Sequence, residues 1–462
     1  MEWLAWGHQW QLGYPKHPPF PAWLAAAFHN FTPGSLIGVY LLSYLAVAFT
    51  LWCVWRVARE IVPPRVALLS ALCLEGYLLF NLEGADYSNN IVLCATWMAT
   101  VLSLQQALKS DALRWWLALG LSVGLSALTK YSIAFLVAPL IAFTIIEPRT
   151  RIIWRRKGVY LAAGLAVLIF VPHLVWMWVT NFTTIEYALR SAAGYQHWYD
   201  RLLFPTIFLI DQSVRIVPVL LIIAPVVSLR GGEPPTTDAY DRRFLAFAFL
   251  GPILLLIATS AVFGFKLRDV WGMPHWSLLG LFLLANSSER AVEGKALRRA
   301  CAIGAIVVAA MSAISVTRNI WFAEWRGRPY REHYPGQALA TQMTLAYHAR
   351  YGIDPAIIAG EAWIANNVVC YSRRLPVVYP TVGFGYLDLK EKYAPWTSDG
   401  ELRTRGGILV WELDLYGAAL PSSLQDRFPS AVDQPPLIVP YQGGSHFASV
   451  HVGWAVVPPL GR

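Results

Sequence analysis

Residues 113–147 read LRWWLALGLSVGLSALTKYSIAFLVAPLIAFTIIE, two apolar runs separated only by Lys130 and Tyr131. An apolar run of about 17–25 residues can cross the hydrocarbon core of a bilayer as a helix. The stretch therefore predicts transmembrane helices at 113–130 and 131–147, joined by a tight hairpin. The first run also carries small residues four positions apart, Gly120 and Gly124, which allow helices to pack closely in a membrane.

Apolar runs of this kind recur along the 462-residue chain, which is 56% hydrophobic and only 14% charged, with a mean hydropathy of +0.44. A soluble domain is normally about 25% charged, so part of this chain requires lipid as its solvent. Ten candidate transmembrane helices are predicted, at 35–55, 63–81, 89–108, 113–130, 131–147, 158–179, 212–229, 243–263, 271–286 and 300–317. The five cysteines form no CxxC motif and no Cys/His cluster, so a zinc site is not predicted.

Basic residues are distributed unevenly over the loops between these spans. One set of alternate loops holds seventeen of them: Arg56, Arg59, Arg65, Lys109, Arg114, Arg149, Arg151, Arg155, Arg156, Lys157, Arg230, Arg242, Arg243, Arg290, Lys295, Arg298 and Arg299. The opposite loops hold five: Lys130, Arg190, Arg201, Lys266 and Arg268. Because cytoplasmic loops are enriched in Lys and Arg, the first set is predicted to be cytoplasmic. Membrane orientation therefore accounts for the net charge of +9, and nucleic acid is not expected as a partner.

This orientation places both ends of the chain outside the cytoplasm. Residues 1–34 are predicted to form an outer loop with an interfacial helix, 35–317 the transmembrane domain, and 318–462 a periplasmic domain. In the last segment, helical stretches alternate with short apolar runs bounded by Gly, Pro and Asp, which indicates a small α/β domain. The helices are predicted at 337–351 and 362–371, and the strands at 356–359, 375–379, 407–413 and 436–440.

A charged N-terminal segment is not expected to cross a membrane unaided, and no signal peptide precedes it. Two interpretations therefore stay open for residues 1–34. Either a helix upstream of Met1 is missing from this chain, or a short N-terminus is translocated by the following helix.

Polar residues at the predicted outer face of the membrane are the candidates for function, because such groups are costly in hydrocarbon. Four segments carry them: Gly13–Leu24 (GYPKHPPFPAWL), Leu82–Asn90 (LEGADYSNN), Gly120–Tyr131 (GLSVGLSALTKY) and Phe265–Trp276 (FKLRDVWGMPHW). Each also has a structural interpretation: a Pro-rich amphipathic loop, capping of a helix by Ser or Asn, a snorkelling lysine, and an interfacial aromatic belt. From the residues alone, both interpretations stay open.

The functional interpretation matches these side chains to a lipid-linked sugar. Its phosphate requires cations, for which the candidates are Lys16, His17, Lys130, Lys266 and Arg268. Asp86 is a candidate general base or ligand of a divalent metal ion. Asn89 and Asn90 beside it are predicted to line the substrate site. Trp271 is predicted to line the path of the sugar or lipid. Beyond a divalent metal ion at Asp86, no cofactor is expected.

Three of these segments occur in the order and with the spacing of a known family. Tyr14–Leu24 (YPKHPPFPAWL), Asp86–Trp97 (DYSNNIVLCATW) and Gly120–Tyr131 resemble the bacterial dolichyl-phosphate-mannose-protein-mannosyltransferase-like group, and the resemblance covers about residues 2–290. It implies the GT-C fold of polytopic glycosyltransferases, a group that includes lipid A aminosugar and rhizobial galacturonosyl transferases. It also implies transfer of a sugar from polyprenyl phosphate to a protein, lipid A or another glycan at the outer face of a bacterial inner membrane.

The resemblance also assigns roles to single residues. Asp86 resembles the acid of the family's second outer loop, and Asn90 the amide at the start of the following helix. Lys130 resembles the lysine of the family's Lys-Tyr hairpin, in which Tyr131 would line the substrate. Lys266 and Arg268 resemble the basic site of the last loop, which would face the lipid phosphate.

The family's first outer loop carries an acidic Asp-Glu pair about a dozen residues before Gly-Tyr. Here only Glu2 stands near that place, and it is predicted to be catalytic together with Asp86. The matching Asp would lie before Met1, so the family's N-terminal helix is expected to be missing from this chain.

Two other functions stay open at this point. One is a transporter or flippase of lipid-linked sugars, although the predicted spans carry no buried charge at mid-membrane and show no inverted repeat. The other is a nonenzymatic assembly partner or pseudoenzyme, because the expected Asp is absent.

Overall fold

The computed structural model describes residues 1–32, 35–227, 237–286, 294–327, 329–381, 387–443 and 448–460. The helices in these ranges, α1–α20 in chain order, are Glu2–Gly7, Phe20–Asn30, Ile37–Ala58, Pro64–Leu72, Leu78–Asn81, Asn89–Ser110, Leu113–Ala127, Ala134–Ile146, Lys157–Val179, Thr183–Ala192, Asp200–Ile223, Ala239–Phe263, Leu279–Ala285, Lys295–Thr317, Ala323–Arg326, Gly336–Tyr351, Ala362–Tyr371, Asp399–Arg405, Leu413–Tyr416 and Ser422–Gln425. The strands, β1–β6, are Ile357–Gly360, Val377–Pro380, Gly407–Glu412, Val432–Asp433, Leu437–Pro440 and Ser449–Val457. Arg230 and Arg290, which contributed to the predicted orientation, lie outside the described residues.

The chain divides into two compact units. The helical unit comprises residues 39–175 and 185–313, and the sheet unit comprises residues 1–38, 176–184 and 314–462. The predicted domain boundaries at 34 and 317 concern placement in the membrane and stay predictions.

Within the described ranges, six helices are long and apolar enough to cross a membrane: α3, α6, α9, α11, α12 and α14 with its continuation to Phe322. Two shorter apolar helices occupy Leu113–Ala127 and Tyr131–Ile146. The chain is therefore a multi-pass, mainly helical membrane protein with a small sheet domain. The count of about ten transmembrane helices stays a prediction.

The predicted span at 63–81 is not a continuous α-helix. After α4, residues Cys73–Gly76 form a 3-10 helix, and Tyr77 is extended before α5 begins. Gly76 lies so close to α11 that a Cβ at this position would be only 3.0 Å from the backbone nitrogen of Val219. Close packing against α11 therefore coincides with the break in the helix.

The predicted span at 271–286 is also interrupted. Asp269–Leu278 forms a 3-10 helix, which contains Pro274, and only then does α13 begin. Proline has no backbone N–H and its ring clashes with the preceding turn of an α-helix. A continuous helix through this segment is therefore disfavoured.

The helix predicted at 212–229 begins twelve residues earlier, at Asp200. Its interior carries Asp211 and Arg215, and the Arg215 side chain is only 17% exposed. Arg215 is therefore a largely enclosed charge within this helix, and the expectation of no buried charge at mid-membrane stays a prediction.

The hairpin predicted around Lys130 is confirmed. The backbone N–H of Lys130 donates to the Ser126 carbonyl at 2.8 Å, and a 3-10 turn at Tyr131–Ile133 leads into α8. The prediction of close packing at the small residues is also confirmed, because a Cβ at Gly120 would lie 2.5 Å from the Ala162 carbonyl of α9.

The sheet unit contains a mixed six-stranded sheet in the order β2-β1-β3-β6-β4, with β5 also paired to β6. Strand β1 is parallel to β2 and β3, and β6 runs antiparallel to β3, β4 and β5. Ile357, Leu409, Trp411 and Phe428 are fully buried in its core. The predicted α/β character is confirmed, although the longest strand, β6, was not predicted.

Candidate functional site

The candidate site in the helical unit is built around Lys130, which lies in the turn between α7 and α8, outside both helices. Its Nζ donates to Asn90 Oδ1 at 2.7 Å and lies 5.5 Å from the ring centroid of Trp271. The fold thus brings together residues from the start of α6, the hairpin turn and the Asp269–Leu278 segment. Among the described residues, Lys130 has no carboxylate partner.

The electrostatic environment of Lys130 disfavours an uncompensated positive charge. Burial lowers the pKa of its ammonium group to about 7; the Cys94 thiol opposes this shift and the nearby Arg268 guanidinium adds to it. Burying a cation is costly unless an opposite charge or hydrogen bonds compensate for it. A mostly buried ammonium group that contacts an amide oxygen and an aromatic ring is therefore suited to bind an anion.

A buried polar contact supports the segment that carries Trp271. The Nε2 of Gln212 donates to the Asp269 carbonyl at 2.9 Å, and its Oε1 accepts a hydrogen bond from Trp276 Nε1 at 2.7 Å. A Cβ at Gly272 would be only 2.0 Å from Gln212 Oε1. Gln212 of α11 thereby holds the backbone at Asp269 and the indole ring of Trp276, one on each side of Trp271 in the sequence.

Arg215 forms a second link between α11 and this segment, which was not predicted from the sequence. Its guanidinium pairs with Asp211 at 2.8 Å, with Asp269 at 2.6 Å and with Glu83 at 3.7 Å. The signal was present in the sequence, because Asp211 and Arg215 are four residues apart and such residues face each other on a helix. The ion pairs connect the 82–88 loop to the segment that contacts Lys130.

Asp86 lies exposed in the loop before α6, where its backbone N–H donates to the Glu83 carbonyl at 3.0 Å. Ser88 caps α6 by accepting a hydrogen bond from the Ile91 N–H, so the capping interpretation is confirmed for Ser88. Asn89 is buried in the first helical turn. No group of three or more His, Cys, Asp or Glu residues that could hold a metal ion occurs in the described part of the chain.

The remaining predicted residues of the helical unit lie on the adjoining segments. The Tyr131 hydroxyl is 2.7 Å from His173 Nε2 of α9, and the two rings stack. Lys266 is exposed, and its backbone N–H donates to the Ala192 carbonyl at 2.9 Å. The substrate-lining role of Tyr131 and the phosphate-binding role of Lys266 stay predictions.

His275, within the Phe265–Trp276 segment, is a further candidate for which no role was predicted from the sequence. Its ring is buried against Trp97 of α6, with the centroids 5.0 Å apart. It lies close enough to Lys130 for the two groups to interact electrostatically.

Three predicted residues lie in the sheet unit. Lys16 Nζ donates to Glu2 Oε1 at 2.5 Å and lies 5.6 Å from the ring centroid of Trp6. The ring of His17 packs on Trp3 with a centroid distance of 5.2 Å. The carboxylate predicted as a catalytic base is therefore paired with a cation predicted to bind phosphate. Lys16 thus has a carboxylate partner, whereas Lys130 has none in the part of the chain that the structure describes.

Comparison with known proteins defines the class to which this fold and site correspond. Residues 16–176 match the family model described as dolichyl-phosphate-mannose-protein mannosyltransferase. The chain is 24% identical to the lipopolysaccharide core galacturonosyltransferase RgtB of Rhizobium johnstonii, over 92% of this chain and 83% of that protein. It is 23% identical to RgtA of the same organism, over 97% and 90% of the two chains.

Among solved structures, the chain is similar to ArnT from Cupriavidus metallidurans bound to undecaprenyl phosphate, with 14% identity and a TM-score of 0.49 over 96% of this chain and 88% of that chain. It is also similar to the mycobacterial arabinofuranosyltransferase AftD, with 15% identity and a TM-score of 0.49 over 92% of this chain and 34% of that chain. The sequence matches confirm the predicted resemblance. The protein is a membrane glycosyltransferase.

Proposed function

We propose that this glycosyltransferase takes its sugar from a polyprenyl-phosphate donor and binds the donor phosphate at Lys130. The observation that supports this proposal is a mostly buried ammonium group with Asn90 and Trp271 in contact and no carboxylate partner among the described residues. Arg268 supplies a second positive charge nearby. The family description, which names a mannose linked to dolichyl phosphate, supports a donor of this class.

In such a transfer, the bond between the anomeric carbon and the phosphate oxygen breaks, and its electron pair leaves with the phosphate. Negative charge therefore accumulates on the departing polyprenyl phosphate in the transition state. Fixed cations stabilise a transition state in which charge develops in this way. This role is proposed for Lys130 and Arg268, and also for Lys266, which lies two residues before Arg268 in the sequence. Trp271 presents an aromatic face to the same site.

An acceptor hydroxyl forms the new bond, and its proton must pass to a base. The candidates are Asp86, which is exposed next to the start of α6, and Glu2, which is paired with Lys16. A divalent metal ion at Asp86 would lower the pKa of a bound hydroxyl, and this role stays a proposal.

The relatives support an acceptor of saccharide chemistry. Two are named as transferases of galacturonic acid to the lipopolysaccharide core, and a third, RgtD, as a lipid A galacturonosyltransferase. We assign this chain a lipid A or core-oligosaccharide acceptor at the periplasmic face of a bacterial inner membrane. The distribution of basic residues supports this orientation.

The proposal is tested by measuring sugar transfer with Lys130→Ala in the purified chain. The assay supplies a radiolabelled polyprenyl-phosphate sugar and a lipid A or core-oligosaccharide acceptor. We expect transfer to fall by about 10- to 150-fold, because a hydrogen bond to a charged group contributes about 1.5–3 kcal/mol.

Lys109→Ala is the matched control, because Lys109 is exposed, lies at the other end of α6 and pairs with Glu60. The control is expected to transfer at the wild-type rate. Wild-type activity of Lys130→Ala would contradict the assignment of Lys130, and transfer from a nucleotide sugar instead of the lipid donor would contradict the donor class.

A further inference from the structure

An apolar cavity of about 470 Å³ lies between α6, α7, α8 and α9. Its walls include Trp116, Leu140, Trp154 and Ala166, and almost all of the lining surface is apolar. Ligand sites commonly have volumes of roughly 300–1,000 Å³. The cavity is therefore large enough for part of a hydrocarbon chain.

The cavity lies toward the end of these helices that is remote from Lys130. Trp116 is in the first turn of α7, whereas Lys130 follows the last turn. At 1.5 Å per residue, Trp116 is about 16 Å along the helix from residue 127. The segment that closes this end, residues 151–157, carries four basic residues and belongs to the predicted cytoplasmic set.

Trp154 lines both this cavity and a neighbouring hollow of about 460 Å³, which is also lined by Ile145 and Arg151. The indole N–H of Trp154 is buried and has no acceptor among the described residues. A buried donor without an acceptor is unfavourable, and an oxygen atom of a bound molecule would satisfy it.

One of the residues that line this hollow, Arg151, carries a positive charge. Arg151 donates to the carbonyls of Ile145 and Ile146 at 2.8 and 3.1 Å, which leaves its charge without a carboxylate in the described ranges. Arg155 and Lys157 are exposed and likewise form no ion pair with a described residue. An apolar cavity with a cationic mouth is complementary to a molecule that joins a hydrocarbon chain to an anion.

We propose that this site binds an anionic glycerophospholipid of the leaflet that borders residues 151–157. One acyl chain occupies the cavity, an ester carbonyl accepts the hydrogen bond from Trp154, and the phosphate lies against Arg151. Basic pockets between transmembrane helices on the cytoplasmic side bind anionic headgroups in other membrane proteins. This lipid site is separate from the proposed donor site at Lys130, and it does not depend on the transfer reaction.

The test uses the purified chain, stripped of lipid in a neutral detergent, and native mass spectrometry. Phosphatidylglycerol and phosphatidylcholine with identical acyl chains are titrated separately. We expect phosphatidylglycerol to bind at least about fivefold more tightly, the factor expected for one basic residue acting on an anionic lipid. Equal affinities would overturn the proposal.

Three variants locate the site. Arg151→Gln should lower the affinity for phosphatidylglycerol to that for phosphatidylcholine, whereas Arg151→Lys should retain the preference. Ala166→Phe, which fills the cavity, should weaken both lipids. Wild-type binding by Arg151→Gln would exclude the headgroup position, and wild-type binding by Ala166→Phe would exclude the acyl position.

Two controls separate this site from other lipid contacts. Arg59→Gln removes an exposed basic residue that packs on Trp55 and does not line the cavity, and it should leave the preference unchanged. Lys130→Met should also leave phosphatidylglycerol binding unchanged. A loss with Lys130→Met would mean that the lipid occupies the donor site, which would overturn the assignment to the cavity.

Discussion

If the donor phosphate binds at Lys130 as proposed, the lowered pKa of this lysine makes donor binding dependent on pH. In the empty protein, burial lowers this pKa to about 7, so the side chain is mainly charged below pH 7 and mainly neutral above it. A phosphate binds the charged form more tightly, and binding must in turn raise the pKa of the lysine. Affinity for the donor is therefore expected to be highest near pH 7 and to fall as the pH rises.

The size of the fall follows from the contribution of the charge. A hydrogen bond to a charged group is worth about 1.5–3 kcal/mol, which corresponds to about 10- to 150-fold in affinity. The apparent Kd for polyprenyl phosphate should accordingly rise by this factor between about pH 7 and pH 9, then level off. Measurement from pH 7 upward avoids the second ionisation of the phosphate, whose pKa is about 6.

The assay is a titration of fluorescent polyprenyl phosphate into the purified chain in detergent at each pH. Lys130→Met should bind weakly at every pH, whereas Lys130→Arg, whose charge persists across this range, should lose the pH dependence. Lys109→Met is the matched control and should reproduce the wild-type curve. The reasoning is refuted if Lys130→Met retains both the wild-type affinity at pH 7 and the fall at higher pH.

Three further outcomes are expected. Asp86→Asn should lower kcat by about 10²- to 10⁴-fold, the usual contribution of a general base, with an unchanged Kd for polyprenyl phosphate. Glu2→Gln is measured in parallel. Recovery of the transfer activity of EDTA-treated wild type on addition of Mg²⁺ would support a metal ion at Asp86. Gln212→Leu should lower the melting temperature and weaken transfer, because it leaves the Trp276 N–H without its acceptor, and an unchanged melting temperature would contradict the supporting role of Gln212. Gly360→Ala should destabilise the sheet unit by at least about 1–3 kcal/mol, since Gly360 has a φ of +133° and a Cβ there would be 1.9 Å from the Val410 carbonyl; a melting temperature equal to that of wild type would exclude this account.

The hairpin and the mainly helical character were predictable because they depend on local composition. The two apolar runs on either side of Lys130 are long enough to be recognised without knowledge of their neighbours. The breaks at Gly76 and Pro274 were not predicted, because the spans were assigned from the length and mean hydropathy of the apolar runs. Pro274 was a local signal for a break, whereas the approach of α11 to Gly76 is visible only in the fold. Strand β6 was missed for a related reason: its inward-facing residues are defined by pairing with β3, which lies about forty residues earlier.

The candidate site was predictable in its residue types and less so in its contacts. Lys130, Asn90 and Trp271 were all named from the sequence, and the structure brings these three together. The ion pair between Glu2 and Lys16 was not predicted. The two residues had been given separate roles, Glu2 as a catalytic base and Lys16 as a phosphate-binding cation, and the pairing compensates the charge of Lys16. The ion pairs of Arg215 depend on a segment 54 residues away in sequence, and spacing within one helix could suggest only the partner Asp211.

The turn at Lys130 has a consequence for how this enzyme must be assayed. The backbone of Lys130 is tied to Ser126, and the side chain is enclosed between α6 and the Trp271 segment, so this cation has little freedom to reach toward a ligand in bulk water. A prenyl-anchored substrate would instead arrive by lateral diffusion within the bilayer. Saturation should then follow the mole fraction of donor among the lipids, and diluting proteoliposomes at a constant lipid composition should leave the turnover rate unchanged.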